Sequence, residues 1–189
     1  MLFLDLLKNK FIGGILYEKI FNYYIKFWLI YYRMWQRKKV LEINQIEVKN
    51  DLIYEKKSIR PFTGKVISKY DNGSLFSEYN YINGRLNGFF KEYYENGQLL
   101  SEGNYKDDEL EGILRYYYEN GQLLSEGNYK DDELEGILKY YYENGQLERE
   151  ENYKNGNRDG LLKEYSEAGE LKAEKYFKPI KLIDDEKMF

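Results

Sequence analysis

The chain has no cysteine and no histidine among its 189 residues, and it has only two prolines. The absence of cysteine excludes disulfides, thiol nucleophiles and a cysteine-linked lipid anchor. Without either residue type, zinc sites of the usual kind and imidazole acid–base catalysis are excluded as well. The sequence also has no glycine-rich phosphate loop and no nucleophile elbow. We therefore expect no enzymatic activity, no catalytic residue, no cofactor and no metal site.

Aromatic residues and turn signals are abundant instead. The 22 tyrosines each combine a large apolar ring with a polar tip, which suits half-buried sheet surfaces and binding surfaces. Asn-Gly dipeptides recur along the chain, and they are strong signals for β-hairpins. This composition favours a β-rich folded array over a disordered chain.

The net charge of -4 is distributed unevenly along the chain. Residues 1–40 hold eight basic and two acidic residues, which gives +6, so the remainder carries -10. A basic segment followed by an acidic body suggests two different environments. The acidic body also argues against nucleic-acid binding, because phosphate contacts require basic surface.

The sequence repeats itself every 24 residues. The unit that begins at Gly88 reads G-F-F-K-E-Y-Y-E-N-G-Q-L-L-S-E-G-N-Y-K-D-D-E-L-E, and the next unit differs from it at four positions. A fixed period of this length indicates a repeat architecture, whose extended surface makes binding the default function. We divide the chain into a basic, aromatic helical segment (1–40), a linker with a degenerate capping hairpin (41–63), five units (64–87, 88–111, 112–135, 136–159 and 160–178) and a C-terminal tail (179–189).

Each unit is predicted to form one hairpin around its Asn-Gly dipeptide. A two-residue type I′ loop at Asn96-Gly97 would place Lys91 opposite Glu102 and Tyr94 opposite Leu99. The acidic second turn, such as Asp107-Asp108-Glu109, then leads into the next hairpin. The predicted fold is mainly β: a single-layer antiparallel meander of repeated hairpins, a 24-residue repeat solenoid, preceded by an N-terminal α-helix.

Alternation of side chains divides the predicted sheet into two faces. One face carries Phe90 together with a recurring leucine and a late aromatic residue, and we expect these anchors to be packed. The leucines are Leu75, Leu99, Leu123, Leu147 and Leu171; the aromatic residues are Tyr81, Tyr105, Tyr129, Tyr153 and Phe177. The other face carries predicted cross-strand ion pairs between Lys91 and Glu102, Arg115 and Glu126, and Lys139 and Glu150.

Two rows of tyrosines recur once per hairpin. One is formed by Tyr70, Tyr94, Tyr118 and Tyr142; the other, on the opposite face, by Tyr93, Tyr117, Tyr141 and Tyr165. They are interpreted either as core and sheet filler, or as an aromatic groove for a partner, with the Tyr93 row as the predicted partner-binding residues. The acidic turns are interpreted as solvated loops, with a weak calcium site or a mimic of nucleic-acid charge as the alternative. No small-molecule pocket is expected.

The pattern G-x-x-x-x-Y-Y-E-N-G-Q-L-x-S-E-G-N-Y-K over about residues 62–178 resembles the MORN (membrane occupation and recognition nexus) repeat. It is similar to the bacterial variant that is often described as a toxin–antitoxin system antitoxin. The first unit departs from the pattern at Lys69 and the last at Ser166, as terminal units often do. The resemblance implies a single-layer β-meander and a protein-binding role in which the array covers a toxin.

The N-terminal segment allows three interpretations. An amphipathic helix over residues 1–40 could pack on the array, attach to a membrane surface, or be a cleaved signal peptide. For membrane contact we single out Trp28, Trp35, Lys26 and Arg33. Two functions from different classes follow: a protein-interaction module, with an antitoxin that covers a toxin as one form of it, or a membrane-associated scaffold. The predicted location is membrane-associated or cytoplasmic, with export as the less favoured alternative.

Overall fold

The computed structural model describes residues 39–178, which form sixteen β-strands and one short 3-10 helix, Ile43–Gln45. The predicted N-terminal α-helix lies outside these residues. In chain order the strands are β1 Val40–Glu42, β2 Ile46–Lys49, β3 Leu52–Glu55, β4 Gly64–Lys69, β5 Leu75–Ile82, β6 Arg85–Leu86, β7 Gly88–Tyr93, β8 Leu99–Lys106, β9 Glu109–Leu110, β10 Gly112–Tyr117, β11 Leu123–Lys130, β12 Glu133–Leu134, β13 Gly136–Tyr141, β14 Leu147–Lys154, β15 Asn157–Tyr165 and β16 Leu171–Phe177.

Fourteen of the strands form one sheet, in which long strands follow one another in chain order from β4 to β16. The pairs from β4 to β16 are all antiparallel, so the prediction of a mainly β meander of repeated hairpins is confirmed. The short strands β6, β9 and β12 extend β5, β8 and β11 around the second turn of each unit. Within residues 39–178, no helix has the length and apolar character needed to cross a membrane.

The N-terminal end of the sheet has its own small core. Strand β1 pairs in parallel with β4, and β2 and β3 form a separate hairpin within the segment where a degenerate hairpin was predicted. Leu41, Ile53, Phe62 and Val66 are buried together there. Gly64 has φ +155°, and a Cβ atom at this position would lie 2.2 Å from the carbonyl oxygen of Lys39, so the approach of β1 requires glycine.

The Asn-Gly turns are not the predicted two-residue type I′ loops. The amide of Tyr94 donates to Gln98 O (2.8 Å), and the amide of Gly97 donates to Tyr94 O (2.9 Å). Gly97 has φ 84°, while Asn96 is not among the residues with positive φ. This is a three-residue loop: a type I turn followed by a glycine in the left-handed region. Asn96 contributes through its side chain, because its Oδ1 accepts the amide of Gln98 (2.8 Å).

The type I′ geometry occurs at the second turn of each unit instead. There both central residues have positive φ: Asn83 and Gly84, Asp107 and Asp108, Asp131 and Asp132, Asn155 and Gly156. This geometry matches the twist of the strands that it joins. Two of these turns, Asn83-Gly84 and Asn155-Gly156, have the preferred type I′ sequence, whereas the other two place consecutive aspartates at left-handed positions, which is an uncommon choice.

The hairpin register agrees with the prediction along most of each strand and departs from it at the last residue before the turn. Lys91 lies opposite Glu102, Arg115 opposite Glu126 and Lys139 opposite Glu150, as predicted. Between Glu92 and Tyr93 the register then shifts by one residue, so that Tyr93 rather than Tyr94 lies opposite Leu99. This shift is a β-bulge, which interrupts the regular alternation of side chains between the two faces of the sheet. Alternation along the strand therefore does not determine which face Leu99 and its equivalents lie on.

The packed face is the predicted one, but its most buried row is different. The buried apolar side chains of the array are Val66, Phe90, Leu114, Leu138 and Leu162, one per unit. The predicted leucine anchors are only half-buried, and Leu171 is 55% exposed. Gly103 and Gly127 are required beside the buried row, because a Cβ atom at Gly103 would lie 2.7 Å from the ring of Phe90.

Candidate interaction surface

Tyrosine hydroxyl groups join each unit to the next. The hydroxyl of Tyr94 donates to the carbonyl oxygen of Tyr117 at 2.6 Å, 23 residues further along the chain. The same bond is made by Tyr70, Tyr118 and Tyr142 to the carbonyls of Tyr93, Tyr141 and Tyr165. This row is therefore occupied by contacts between units, and its hydroxyls are not free donors for a partner.

The turns make a second contact between units. The amide of Leu110 donates to Asp132 Oδ1 (2.6 Å), and the amide of Asp132 donates back to Leu110 O (3.2 Å). Asp108 makes the same pair of bonds with Leu86 in the unit before. Each aspartate thus accepts and donates at a backbone edge, which explains its presence at a left-handed position. No group of three or more acidic residues within residues 39–178 could hold a metal ion.

A row of alternating charges crosses the opposite face of the sheet. Along successive strands it reads Glu78, Lys91, Glu102, Arg115, Glu126, Lys139, Glu150, Lys163 and Glu174. Lys91 Nζ lies 3.3 Å from Glu102, and Arg115 contacts both Glu126 (3.4 Å) and Glu102 (4.0 Å). Exposed pairs of this kind contribute at most about 1 kcal/mol each, so they fix register more than they stabilise.

The tyrosines predicted to bind a partner lie beside this charged row. The hydroxyls of Tyr117 and Tyr141 donate to Glu102 (2.9 Å) and Glu126 (3.3 Å) of the preceding unit, and Tyr165 approaches Glu150 at 3.5 Å. Burial and the hydrogen bond to Glu102 raise the pKa of Tyr117 to about 12. Tyr93 occupies the equivalent position, and all four tyrosines are half-buried.

A third row on the same face is apolar and more exposed. Phe89 is 74% exposed, Ile113 48% and Ile137 47%, and each lies two residues before a basic residue of the charged row. Alternation along β7, β10 and β13 places them on the same face as Lys91, Arg115 and Lys139. We call this surface the ladder face: the charged row, the Tyr93 row, and the row of Phe89, Ile113 and Ile137.

The two departures from the repeat pattern lie in the first and the last of the five units, at positions that contact a neighbouring unit elsewhere in the array. Lys69 replaces the tyrosine that would need a glutamate of a preceding unit, and its Nζ contacts Glu42 instead (2.8 Å). Ser166 replaces the tyrosine that would reach a following unit, and its Oγ accepts the amide of Glu170 (3.1 Å). Both changes follow from the two tyrosine rows being contacts between units.

A buried charged cluster interrupts the packed face in the fourth unit. Glu151 is 1% exposed and contacts Arg149 Nε at 2.9 Å and Arg158 Nε at 2.7 Å, and it accepts the hydroxyl of Tyr153 (2.8 Å). The guanidinium of Arg149 also lies 4.3 Å from the ring centre of Tyr140. The sequence signal was present, since Arg-Glu-Glu replaces Ser-Glu-Gly there, but it was not singled out.

The residues predicted for membrane contact lie outside the described part of the chain. These are Trp28, Trp35, Lys26 and Arg33. The interpretation of that segment as helix, membrane anchor or signal peptide therefore stays a prediction.

Comparison with known families gives five matches to one model, described as a MORN repeat variant. They cover residues 62–83, 86–107, 110–131, 134–155 and 158–178, so that each match contains one Asn-Gly or Ala-Gly hairpin and the turn positions recur in register. Repeats of this kind are commonly protein-binding or membrane-binding modules. No match was found among curated proteins.

Solved structures resemble the chain only weakly. A mutant of TarM from S. aureus aligns at 10% identity and a TM-score of 0.33, over 69% of this chain and 23% of that one. The GtfA/B complex aligns at 16% identity and a TM-score of 0.25, over 70% of this chain and 23% of that one. The accessory secretory protein 1, 2 and 3 complex of Streptococcus pneumoniae aligns at 23% identity and a TM-score of 0.21, over 68% of this chain and 21% of that one. The chain thus spans less than a quarter of these proteins, and the likeness carries no functional argument.

Proposed function

The chain belongs to the MORN repeat variant family, and on that premise we propose that its five-unit array is a non-catalytic module that binds a protein partner. The partner lies across several units on the ladder face. The observation that carries this proposal is the exposed row of Phe89, Ile113 and Ile137 beside the charged row. Large apolar side chains that are exposed together on one face of a sheet are typical of interaction surfaces.

The spacing of the ladder face favours an elongated partner. Strands in a sheet lie about 4.8 Å apart, so equivalent residues of successive units recur at about 10 Å. Tyrosines such as Tyr117 supply rigid aromatic contact area at interfaces, and the neighbouring charges set orientation. A partner with contacts repeated at this interval engages several units at once, whereas a small molecule engages one.

Affinity capture with matched variants tests the proposal. The full chain and a variant with Tyr93→Ser, Tyr117→Ser and Tyr141→Ser are compared as baits in lysate of the source cells. The control carries Lys106→Ser, Lys130→Ser and Lys154→Ser, which are also spaced by one unit but lie at the exposed ends of β8, β11 and β14. We expect one protein to be captured by wild type and control and lost from the tyrosine variant. Equal capture by all three, with unchanged circular dichroism, would place the binding site elsewhere.

The resemblance to antitoxin-like repeat proteins adds one class of partner, a protein toxin that the array covers. This extension rests on the resemblance to that family, and co-expression in cells tests it. Co-expression of a captured partner that is toxic alone should restore growth with the wild-type chain and not with the tyrosine variant. If the captured partner is not toxic, the antitoxin role is rejected, while the proposal that the array binds a protein is unaffected.

The second candidate function is a membrane-associated scaffold attached through residues 1–40. The observation that favours it is the charge of +6 and the two tryptophans of that segment. Cell fractionation compares the full chain with a deletion of residues 1–38. If both proteins are fully soluble, the membrane role is lost, while the proposal for the ladder face is unaffected.

A further inference from the structure

The last strand of the sheet, β16, is paired on one side only. It pairs with β15, and within residues 39–178 no strand pairs with its other side. Every residue of β16 except Phe177 is exposed. An edge strand of seven residues presents backbone amides and carbonyls that can pair with another strand.

The charges of this strand are complementary to those of its own antiparallel copy. The N-terminal half of β16 contains Lys172-Ala173-Glu174, so a reversed copy centred on Ala173 places Glu opposite Lys at both flanking positions. We propose that β16 pairs with β16 of a second copy of the chain, related by a two-fold axis through Ala173. Lys172 of each copy then faces Glu174 of the other.

Like charges disfavour the alternative registers. A two-fold axis perpendicular to the sheet preserves its faces and therefore places one residue opposite its own copy. Axes through Ala173, Glu174 or Lys175 are those that pair at least five residues of each strand. The axis at Glu174 opposes two glutamates and the axis at Lys175 opposes two lysines, which destabilises both pairings. Only the axis at Ala173 opposes a small neutral residue with itself and creates two ion pairs.

The same register continues a pattern of the array. Glu150 lies between Lys139 of one neighbouring strand and Lys163 of the other. Glu174 lies opposite Lys163 on its inner side. Pairing with Lys172 of a second copy gives Glu174 the second basic neighbour that Glu150 already has. The charged row of the ladder face then continues across the interface.

Single-cysteine cross-linking tests the register, because the natural chain has no cysteine. Opposed residues in an antiparallel pair have Cα atoms about 4.5–5.5 Å apart, within the range that a disulfide spans. Ala173→Cys in the full chain should therefore form a dimer under mild oxidation. The control is Tyr176→Cys, at an exposed residue of the same strand. Its two introduced cysteines would lie about 20 Å apart in the proposed dimer and should not cross-link. Absence of the Ala173→Cys dimer, or equal cross-linking of both variants, overturns the proposal.

Sedimentation with a charge swap tests the ion pairs. Five residue pairs bury little surface, so we expect a weak dimer that appears as the protein concentration rises. The mass should shift from 22.9 kDa toward twice that value. Lys172→Glu should remove this shift, and the matched control Lys154→Glu should leave it unchanged. A wild type that is monomeric at every concentration, or a Lys172→Glu variant that associates like wild type, overturns the proposal.

Discussion

One hydroxyl group per unit holds neighbouring hairpins together on the side of the Asn-Gly turns. Tyr118 donates to the carbonyl of Tyr141 at 2.7 Å, and the ladder between β11 and β13 has only two residue pairs, at Ser125 and Glu126. Because the backbone pairing between units is short, the side-chain bond is a large share of the contact. The tyrosine is present in the first four of the five matched units, each of which is followed by another, and Ser166 stands in its place in the fifth.

Removing that hydroxyl tests its contribution. Tyr118→Phe keeps the ring and leaves the carbonyl of Tyr141 without this donor, so we expect a loss of about 0.5–1.5 kcal/mol in the free energy of unfolding. Urea denaturation measures the change. The control Tyr176→Phe, at a tyrosine that is 62% exposed, should change stability by less than about 0.5 kcal/mol. Equal losses in the two variants would contradict a specific role for Tyr118.

The buried row and the half-buried leucines should differ in what they contribute. Leu114 is 6% exposed, whereas Leu123 is half-buried beside the bulge. Leu114→Ala should cost about 2–5 kcal/mol of unfolding free energy, and Leu123→Ala about 1–2 kcal/mol because less of its surface is buried. Thermal and urea unfolding of the two variants give the comparison. A larger loss of unfolding free energy for Leu123→Ala than for Leu114→Ala would support the sequence-based prediction that the recurring leucines are the packed anchors.

At the scale of the element, the second turn of each unit stores backbone strain and offsets it with hydrogen bonds. Asp131 and Asp132 have φ 51° and 65°, a region that costs non-glycine residues about 1–2 kcal/mol each. Asp132 recovers part of this through its two bonds to Leu110. At the equivalent positions of other units, Gly84 and Gly156 avoid the strain and keep only the backbone bond.

Two substitutions at this turn separate strain from hydrogen bonding. Asp132→Gly loses the carboxylate acceptor but relieves the strain, so stability should stay within about 1 kcal/mol of wild type. Asp132→Ala loses the acceptor and keeps the strain, and it should cost about 1–2 kcal/mol. Urea midpoints rank the variants, with Glu133→Ala in the same turn as the control. An alanine variant as stable as the glycine variant would show that the strain is not real.

The period, the hairpins, the register of the ion pairs and the choice of packed face followed from the sequence, because each depends on residues close together in the chain. The type of each turn did not. Asn96-Gly97 has the sequence of a type I′ turn, but the asparagine side chain supports a longer loop. The bulge at Tyr93 shifts the register by one residue without changing the pattern of residue types. Contacts such as that of Tyr94 with Tyr117 span 23 residues and leave no local signal.

Across the whole molecule, the many tyrosines make stability depend on alkaline pH. Burial raises the pKa of Tyr105, Tyr116 and Tyr129, and burial together with Glu102 raises that of Tyr117 to about 12. An unfolded tyrosine loses its proton near its ordinary pKa of 10.0, while the folded one keeps it longer. Above about pH 10 the unfolded state therefore binds fewer protons, and stability falls as pH rises.

Urea midpoints at a series of pH values test this dependence. We expect a constant midpoint from about pH 8 to pH 9.5 and a decline between about pH 10 and 12. Absorbance of tyrosinate should rise together with unfolding rather than before it. Early ionisation without loss of structure would show that the hydroxyls are not held in the folded array.

The claim that the ladder face binds a partner is tested most directly at its exposed apolar row. Phe89→Ser, Ile113→Ser and Ile137→Ser together remove the apolar area of the ladder face that is most accessible, at side chains that are 74%, 48% and 47% exposed. The triple variant should keep the circular dichroism of wild type and lose capture of the partner from lysate. A folded triple variant that captures the same protein as strongly as wild type would contradict the account.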